Sequence, residues 1–553
     1  MKKCILFCLL LPMAVLGQDR PYGKLWATRS QVIAQHGMAA TSHPLSTQVA
    51  LDVLKAGGNA IDAAIAANAM EGVVEPHVNG IGGDLYAIVW DAKSKKLYGL
   101  NGSGRSPKSL TLAEFKKRGL THIPSTGPLP VSVPGCVDAW FELHKKFGTM
   151  PMSKVLEKAV SYARNGFPVH GELASGLARV PANYGKFPNV AEHYYPTGKV
   201  PVEGDVFKNP NLANTLERLG KEGRDVFYKG DMARTMDAFM KKNGGFLSYE
   251  DLASHTSTWI DPVSVNYRGY DVWELPPNGQ GIAALQMLNI LEGYDFSKIK
   301  LGSAEHIHLF TEAKKLVFED RAKFYADMDF AKIPVKSLIS EEYAAERRKL
   351  INPARASRHF DAGNPALKDG DTIYMTVADK DGNMVSLIQS NYRGFGSGMM
   401  PDGLGFMFQD RGELYSLKEG ENNTYAPGKR PFHTIIPAFM TKDGQPIMSF
   451  GVMGGAFQPM GHAQIVMNVV DFGMSPVEAV TVPRIHCEGL GIHTEATVSR
   501  SVIKELRALG HTVHQSAHSF DPSMSRAHVI STIGGRMRGG ADPRGGAGVV
   551  YAW

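Results

Sequence analysis

The chain has 553 residues, of which 43% are hydrophobic and 21% charged, and its formal net charge is +6. A chain of this length and composition can bury a large core, either in two or more domains or in one large intertwined unit. Its charges are scattered rather than gathered into blocks, which argues against nucleic acid as a partner. Neither Cys-x-x-Cys nor His-Glu-x-x-His occurs in the sequence, and no metal site is predicted.

Residues 1–17 predict a signal peptide. They have a basic start, an apolar run of about a dozen residues, too short to anchor stably in a membrane, and a small residue, Gly17. A lipoprotein anchor would need a cysteine where Gln18 stands, so we expect an exported protein, periplasmic or secreted, without a membrane partner. Cleavage would leave Cys136 and Cys487, which we expect to be buried thiols rather than a disulfide.

The N-terminal part of the mature chain predicts two helices and a hairpin. Apolar residues recur at helical spacing in 43–55, and 59–74 is Ala-rich and apolar all round, as in a buried central helix. A glycine-rich loop, 76–84, then leads into a strand at 85–91 that pairs with 96–101. The loop precedes a strand and opens no helix, the reverse of the order in nucleotide-binding loops.

Arg105 follows this hairpin in a loop flanked by glycines, Gly102-Ser-Gly-Arg105. An arginine in such a loop can present its planar fork to a carboxylate with little steric hindrance. The alternative interpretation is a solvated surface charge.

The region from 131 to about 350 is mainly helical in pattern, and we expect its helices to cover a sheet. The predicted helical segments are 135–144, 153–165, 209–219, 232–242, 281–292 and 303–328. The polar stretch 352–371 predicts an exposed arm, where a chain can be cut without harm.

The stretch 371–390 predicts a β-hairpin with Thr372 at the head of its first strand. Two apolar runs rich in β-branched residues flank a polar segment that contains Asp-Gly. One interpretation is a threonine that simply opens a strand, where threonine is common. The other is a nucleophile whose own α-amine serves as its base once the Asp371–Thr372 bond is cut.

Downstream, a hairpin at 438–450 leads to Gly454-Gly455 and a helix at 458–471. Two glycines before a helix can expose backbone N–H groups where the helix dipole is positive, which suits a developing oxyanion. The alternative is an ordinary strand-to-helix turn. The remaining predicted elements are a helix at 499–509 and strands at 528–533 and 548–553.

Several motifs resemble those of γ-glutamyltranspeptidases and cover almost the whole mature chain in order. They are GMAATSHP at 37–44, AGGNAIDAA at 56–64, GIGGD at 80–84, DTIYMTVADKDGN at 371–383, FGSG at 395–398, PGKRP at 427–431 and the glycines at 454–455. The resemblance implies an N-terminal-nucleophile hydrolase of α+β class, a four-layer αββα sandwich. It also implies a precursor that cuts itself into a large subunit, 18–371, and a small subunit, 372–553, which stay together as a heterodimer.

The same resemblance implies roles for five residues. Thr372 matches the nucleophile, Gly454 and Gly455 match the oxyanion hole, and Arg105 matches the arginine that grips the substrate α-carboxylate. Ser390 falls where the family often has a threonine that hydrogen-bonds to the nucleophile's amine. The implied donor is glutathione or another γ-glutamyl amide, and water or an amino acid discharges the acyl-enzyme without any cofactor. The balance between hydrolysis and transfer stays open.

The chain departs from the family where the donor is recognised. Leu414 stands where well-studied members have an aspartate for the donor's α-amine, and a buried charge-assisted hydrogen bond of that kind contributes about 1.5–3 kcal/mol. Glu413 and Asp410 are the carboxylates that could compensate, and Arg411 lies in the same run.

Two further departures concern the same pocket. His433 and Thr434 replace a usual Ser-Ser pair, and Tyr392 stands where an asparagine is expected. Arg411, Glu413, His433 and Thr434 are therefore predicted to contact substrate.

Three hypotheses follow from these features. The first is a γ-glutamyl hydrolase or transferase. The second is an autoprocessing amidohydrolase on another carboxylate-bearing amide, as in the divergent branch that includes β-lactam acylases and glutathione hydrolase-like proteins. The third is a non-catalytic exported binding protein.

Overall fold

The computed structural model describes residues 30–358, 370–544 and 548–553. The predicted signal peptide and positions 359–369 of the predicted arm lie outside the described residues. The strands are β1 Val32–Ala34, β2 Gly37–Thr41, β3 Asp84–Asp91, β4 Lys96–Asn101, β5 Phe167–Pro168, β6 Val206–Phe207, β7 Thr258–Ile260, β8 Val263–Tyr267, β9 Tyr270–Glu274, β10 Asp371–Asp379, β11 Met384–Tyr392, β12 Ala438–Lys442, β13 Gln445–Val452, β14 Ile485–Glu488, β15 Gly491–Thr494, β16 Thr512–Gln515, β17 Ala527–Ser531, β18 Met537–Ala541 and β19 Val549–Ala552. The α-helices are α1 Pro44–Lys55, α2 Ala60–Val74, α3 Leu112–Lys117, α4 Cys136–Phe147, α5 Met152–Val155, α6 Glu157–Asn165, α7 Gly171–Ala178, α8 Val180–Tyr184, α9 Val190–Tyr194, α10 Pro210–Glu222, α11 Asp225–Tyr228, α12 Asp231–Lys242, α13 Tyr249–Ala253, α14 Gly281–Glu292, α15 Ala304–Phe324, α16 Val335–Leu338, α17 Glu341–Arg348, α18 Gln458–Val470, α19 Pro476–Thr481 and α20 Arg500–Ala508.

Two seven-stranded sheets form the centre of the molecule. The first has the order β19-β2-β10-β11-β3-β4-β7 and the second β1-β18-β17-β13-β12-β9-β8. Each neighbouring pair in both sheets is antiparallel. The predicted hairpins at 371–390 and 438–450 are confirmed, and each supplies central strands of one sheet.

The first sheet is covered by helices on one face and by the second sheet on the other. Along β10, Ile373 and Met375 join a core cluster that includes most of α1 and α2, which lie on the outer face. The alternate residues Tyr374 and Ala378 join a second cluster, between the sheets. This is the period of two that a strand buried on both faces requires.

The second sheet is covered in the same way on its outer face. Met448, Phe450 and Val452 of β13 pack in a third cluster with residues of α14, α15 and α18. Phe439 and Ile530 face inward, toward the first sheet. The layers therefore run helix, sheet, sheet, helix, and the predicted α+β fold, a four-layer αββα sandwich, is confirmed.

Some details differ from the sequence expectations. The region expected to be mainly helical also contains β7 and β8, each at the edge of one sheet, and β9, which lies next to β8. The expected helix at 153–165 is divided at Leu156 into α5 and α6, and the one at 303–328 ends at Phe324. Helical periodicity is less informative for such short strands and for a helix end without glycine or proline.

Two smaller expectations also have an outcome. Cys136 and Cys487 are both buried free thiols, as predicted. Across the described ranges, no helix combines the length and the apolar character needed to cross a membrane.

Candidate active site

Thr372 lies at the start of β10, in the middle of the first sheet, and only 5% of its surface is exposed. The peptide bond between Asp371 and Thr372 is intact, and Asp371 is exposed to solvent. Asp371 pairs with Tyr392 and Ile373 with Gln389, so β11 has one extra residue opposite Thr372. A bulge of this kind ends regular pairing and frees backbone for a local function.

Ser390, on this bulge, contacts the peptide bond that precedes Thr372. Its hydroxyl donates to the carbonyl oxygen of Asp371 at 2.5 Å and accepts from the backbone N–H of Tyr392 at 2.7 Å. Because the Tyr392 N–H points at the oxygen of the hydroxyl, the hydroxyl proton is directed to the Asp371 carbonyl. In the uncut chain the Ser390 hydroxyl therefore polarises the Asp371 carbonyl, and its predicted contact with a free Thr372 amine, which would exist only after a cut, stays a prediction.

The Gly454-Gly455 turn has the backbone that only glycine adopts easily. The φ angles of Gly454 and Gly455 are +94° and +51°, and a Cβ atom on Gly454 would lie 2.6 Å from the Ser525 hydroxyl. The turn continues as a 3-10 turn, Gly455–Phe457, and α18 begins only at Gln458. The glycines thus precede the helix by one turn, not directly as the sequence suggested.

The N–H groups of Gly454 and Gly455 are oriented by hydrogen bonds to the carbonyl groups of the same two peptide units. The Met453 carbonyl accepts from the Ser525 hydroxyl, and the Gly454 carbonyl accepts from the Phe457 N–H at 3.0 Å. In a trans peptide the N–H points opposite to the carbonyl, so the N–H groups of Gly454 and Gly455 point away from these partners. Neither N–H donates a hydrogen bond to any part of the described chain.

Contacts between the sheets bring this turn to the Thr372 end of β10. Thr376 donates to Ser449 at 2.8 Å, and the ring of Tyr374 packs directly on Gly451. A move of two residues toward the start of β10, from Thr376 to Tyr374, thus corresponds to a move of two residues toward the end of β13, from Ser449 to Gly451. Continued for one more step, this progression leads from Tyr374 to Thr372 on β10 and from Gly451 toward the glycine turn after β13, so we expect the two to lie close together.

Three of the predicted substrate-binding residues are gathered around Asp84, the first residue of β3. Its Oδ2 accepts from Arg411 Nε at 3.0 Å and from His433 Nε2 at 2.6 Å, and Arg411 Nη1 donates to Thr434 at 2.7 Å. All four residues are fully buried. Burial alone would raise the pKa of Asp84, but the Arg411 charge and the His433 contact outweigh it and lower the pKa.

His433 is neutral in this network. Burial, together with the nearby Arg411 charge, lowers the pKa of His433 to about 4. The neutral ring donates from Nε2 to Asp84, and its Nδ1 accepts from the Ile435 N–H at 3.4 Å. Asp84 and Arg411 then balance each other, so the cluster has no net charge to offer a substrate.

The carboxylates that could replace the missing aspartate are also engaged or enclosed. Glu413 forms an ion pair with Arg393. Asp410 is fully buried, accepts from the Arg393 N–H at 3.1 Å, and has its pKa raised well above the usual range by burial. Leu414 is buried as well. No accessible carboxylate from this run stands ready for an ammonium group.

Arg105 belongs to a separate group of charges. Its Nη1 lies 3.4 Å from Asp327 and 3.2 Å from the Gly428 carbonyl oxygen, and its Nη2 lies 2.9 Å from Asp329. The Arg105 side chain is one-third exposed. No hydrogen bond or ion pair of the described residues joins it directly to Thr372 or Ser390.

A chain of hydrogen bonds links the two charged groups. Arg430 donates its backbone N–H to Asp327 at 2.7 Å and its Nε to the Ser103 carbonyl at 3.2 Å. Asn278 donates to the Ser103 hydroxyl at 3.2 Å and accepts the His433 N–H on its carbonyl at 2.9 Å. Arg105 and the Asp84 cluster are thus held in one fixed frame.

Sequence reasoning missed several residues of the site. Asp84 closes the glycine-rich GIGGD loop, which was the available signal for it. Asp327 and Asp329 follow α15 without a recognised pattern. Gln280, buried at the start of α14, donates to the Thr434 and Gly455 carbonyls at 2.7 and 2.8 Å and so ties the pocket to the glycine turn.

One buried group within the described residues has the ligand types of a metal site. His308, Glu312 and His511 bring potential ligand atoms within 4.8 Å of one another. However, Lys315 Nζ donates to Glu312 at 2.6 Å and to the Ser357 carbonyl at 3.2 Å. An internal ammonium group therefore already supplies the positive charge there, and we assign this group no metal.

Comparisons with known proteins identify the family of the chain. The sequence model of the family described as Gamma-glutamyltranspeptidase matches residues 46–552. The chain is 37% identical over 531 residues to the Glutathione hydrolase-like YwrD proenzyme of Bacillus subtilis (strain 168), covering 94% of this chain and 99% of that relative. It is 31% identical over 541 residues to the Glutathione hydrolase proenzyme of the same strain, covering 94% and 92%.

A solved structure gives the same result for the fold. The crystal structure of cephalosporin acylase from Bacillus halodurans matches with a TM-score of 0.89 and 41% sequence identity, covering 97% of this chain and 98% of that chain. The family match spans most of the chain, and the fold is the one shared by these relatives. The chain therefore belongs to the γ-glutamyltranspeptidase family of N-terminal-nucleophile hydrolases, and it is an enzyme of that family.

Proposed function

We propose that this protein cuts its own chain before Thr372 and then uses Thr372 to cleave amides of carboxylate-bearing acyl groups. The hydrogen bond from Ser390 to the Asp371 carbonyl is the observation that supports the cut most directly. The products would be a large subunit, 18–371, and a small subunit, 372–553, held together as a heterodimer by the shared sandwich. The predicted signal peptide would export the enzyme to the periplasm or out of the cell.

The self-cleavage needs only groups of this chain and water. The Thr372 hydroxyl oxygen attacks the Asp371 carbonyl carbon while Ser390 stabilises the charge on the carbonyl oxygen. The proton of the Thr372 hydroxyl passes to the amide nitrogen, the Asp371–Thr372 amide bond breaks to give the α-amine of Thr372, and an ester between the Asp371 acyl group and the Thr372 oxygen remains. Water then opens the ester, which frees the Asp371 carboxylate and the Thr372 hydroxyl and leaves Thr372 with the new α-amine at the start of the small subunit.

The new amine is the base for the second reaction. Its reference pKa is about 7.7–8.0, so a fraction of it is neutral near pH 7 and can accept the hydroxyl proton of Thr372. Thr372 attacks the donor amide, and the outward N–H groups of Gly454 and Gly455 hold the oxyanion. The donor's amine leaves with the proton, and water or an amino group releases the acyl group. No step requires a cofactor.

γ-Glutamyl amides, including glutathione, are the first donor candidates. The family membership and the relatives described as glutathione hydrolases support them. Arg105 would hold the donor carboxylate, with Arg411, Glu413, His433 and Thr434 shaping the adjacent pocket.

Amides of a carboxylate-bearing acyl group without an α-ammonium are the second candidates. The pairing of Glu413 with Arg393, the enclosure of Asp410 and the buried Leu414 favour them, because each removes a partner for an ammonium group. The similar structure described as a cephalosporin acylase also supports a donor other than glutathione.

Two measurements on the purified protein test these proposals. A denaturing gel should show two chains for the wild type and one for Thr372→Ala, and sequencing of the smaller chain should begin at Thr372. Release of p-nitroaniline should then be compared for γ-glutamyl-p-nitroanilide and glutaryl-p-nitroanilide, which differ only in the α-amine. A single uncut chain without turnover of either compound would refute both the self-cleavage and the proposed donors.

A further inference from the structure

The guanidinium of Arg105 is held by two aspartates in different surroundings. Asp327 is buried, at 5% side-chain exposure, whereas the Asp329 side chain is 63% exposed. Both contact Arg105, Asp327 at Nη1 and Asp329 at Nη2. One terminal nitrogen of Arg105 therefore faces the protein interior, and the other faces a carboxylate at the surface.

The further contacts of Asp327 show that it is a fixed part of the structure. Its Oδ2 also accepts the backbone N–H of Arg430 at 2.7 Å, and its Oδ1 accepts the N–H of Asp329 at 3.1 Å. Three donors thus hold Asp327 in a buried position. Asp327 is therefore suited to hold the Arg105 guanidinium in a fixed orientation, because a buried carboxylate with several donors is costly to move.

Asp329 has far weaker anchoring. Within the part of the chain that the structure describes, Arg105 Nη2 is the one hydrogen-bond partner of its side chain. The neighbouring side chains Met328 and Phe330 are also about half exposed, so the segment lies open to solvent. An exposed ion pair of this kind contributes little to stability and exchanges readily with other anions.

We infer that Asp329 is a built-in competitor of the donor carboxylate for Arg105. This inference rests on the proposed function, in which Arg105 binds the carboxylate of the acyl group. A donor carboxylate would take the place of the Asp329 carboxylate at Nη2 while Asp327 keeps the guanidinium in position. Asp329 then sets how strongly the enzyme selects carboxylate-bearing donors, because a ligand must outcompete it to bind.

Binding measurements test this inference without depending on turnover. Titration calorimetry with glutarate and with L-glutamate should give dissociation constants about two- to fivefold lower for Asp329→Asn than for the wild type, the range expected on losing an exposed competing pair. Neutral glutaramide should bind both proteins equally, because it has no carboxylate for Arg105. Arg105→Ala should weaken the binding of both anions at least tenfold.

A matched control separates this effect from a general change in surface charge. Asp231 is 65% exposed and pairs with Arg218 at 2.7 Å on another part of the surface, and Asp231→Asn should leave both dissociation constants unchanged. Unchanged or weaker anion binding in Asp329→Asn would overturn the inference, as would an equal gain in Asp231→Asn. Failure of the proposed function would instead appear as an uncut chain or as no turnover of either anilide.

Discussion

Removal of the Ser390 hydroxyl should slow the self-cleavage and leave the fold in place. The hydroxyl lies 2.5 Å from the Asp371 carbonyl oxygen, and the Tyr392 N–H at 2.7 Å fixes its direction. In the attack by Thr372 this oxygen becomes negatively charged, so the bond strengthens as the reaction proceeds. Ser390→Ala removes a donor that acts mainly in the transition state.

The size of the effect follows from comparable donors. Loss of one preorganised oxyanion donor lowers a rate by about 10²- to 10³-fold, or about 2.7–4 kcal/mol. Stability should change less, by about 1–3 kcal/mol, because the buried Tyr392 N–H loses its acceptor and the Asp371 carbonyl loses one donor. Ser390→Thr keeps the hydroxyl and should cut at a rate close to that of the wild type.

The assay is a time course of freshly expressed precursor on a denaturing gel, with the new N-terminus identified by mass spectrometry. Thermal unfolding of each uncut variant controls for misfolding. If folded Ser390→Ala cuts within about threefold of the wild-type rate, the hydroxyl does not stabilise this transition state, and the reasoning from the hydrogen bond is refuted.

Three further predictions concern the nucleophile and the buried charges. Thr372→Ala should remain one chain on a denaturing gel, whereas Thr372→Ser, which keeps a hydroxyl, should still be cut. Arg411→Leu should lower the free energy of unfolding in urea by about 3–5 kcal/mol, because Asp84 loses its charged partner while buried; an unchanged midpoint would show that Asp84 is neutral in the folded protein. His433 takes up a proton near pH 6.5 when unfolded and near pH 4 when folded, so its contribution to stability is present above pH 6.5 and is lost as the pH falls toward 4. The stability lost between pH 7.5 and 4.5 should therefore be smaller in His433→Gln, by up to about 3 kcal/mol, and an identical loss in both proteins would contradict this.

Local sequence patterns predicted the central hairpins because the physics that forms them is local. The two apolar runs on either side of Asp-Gly specify both strands and the turn within about twenty positions. The strands β8 and β9 were missed because each has only five residues and because the pair takes its position in the sheet from the pairing of β9 with distant β12. Tertiary contacts decide such strands more than propensity does.

The candidate active site likewise has one part that could be predicted from the sequence and one part that could not. Thr372, Ser390 and the glycine turn could be found from their positions at strand ends and from family motifs. The partners in the pocket could not, because Asp84 and Arg411 are 327 positions apart in sequence and meet only in the folded chain. Glu413 was a plausible ammonium partner until the structure paired it with Arg393. A sequence supplies the residue types but not their pairing, and pairing decides which charges remain available.

The separation between the groups proposed for the reaction and the groups around the donor suggests that donor specificity can change while the reaction stays the same. The groups proposed for the reaction are hydroxyls and backbone N–H groups, which carry no net charge and are positioned by β10, β11 and the glycine turn. The groups around the donor are charged, and nearly all of them are neutralised inside the protein, Asp84 by Arg411 and Glu413 by Arg393. We therefore expect replacement of a pocket residue that Gln280 does not contact, as at Leu414, to leave the reaction geometry intact. The pocket can select a charged donor strongly only where the donor can displace the partner that neutralises a pocket charge. At Arg105 that partner is the exposed carboxylate of Asp329.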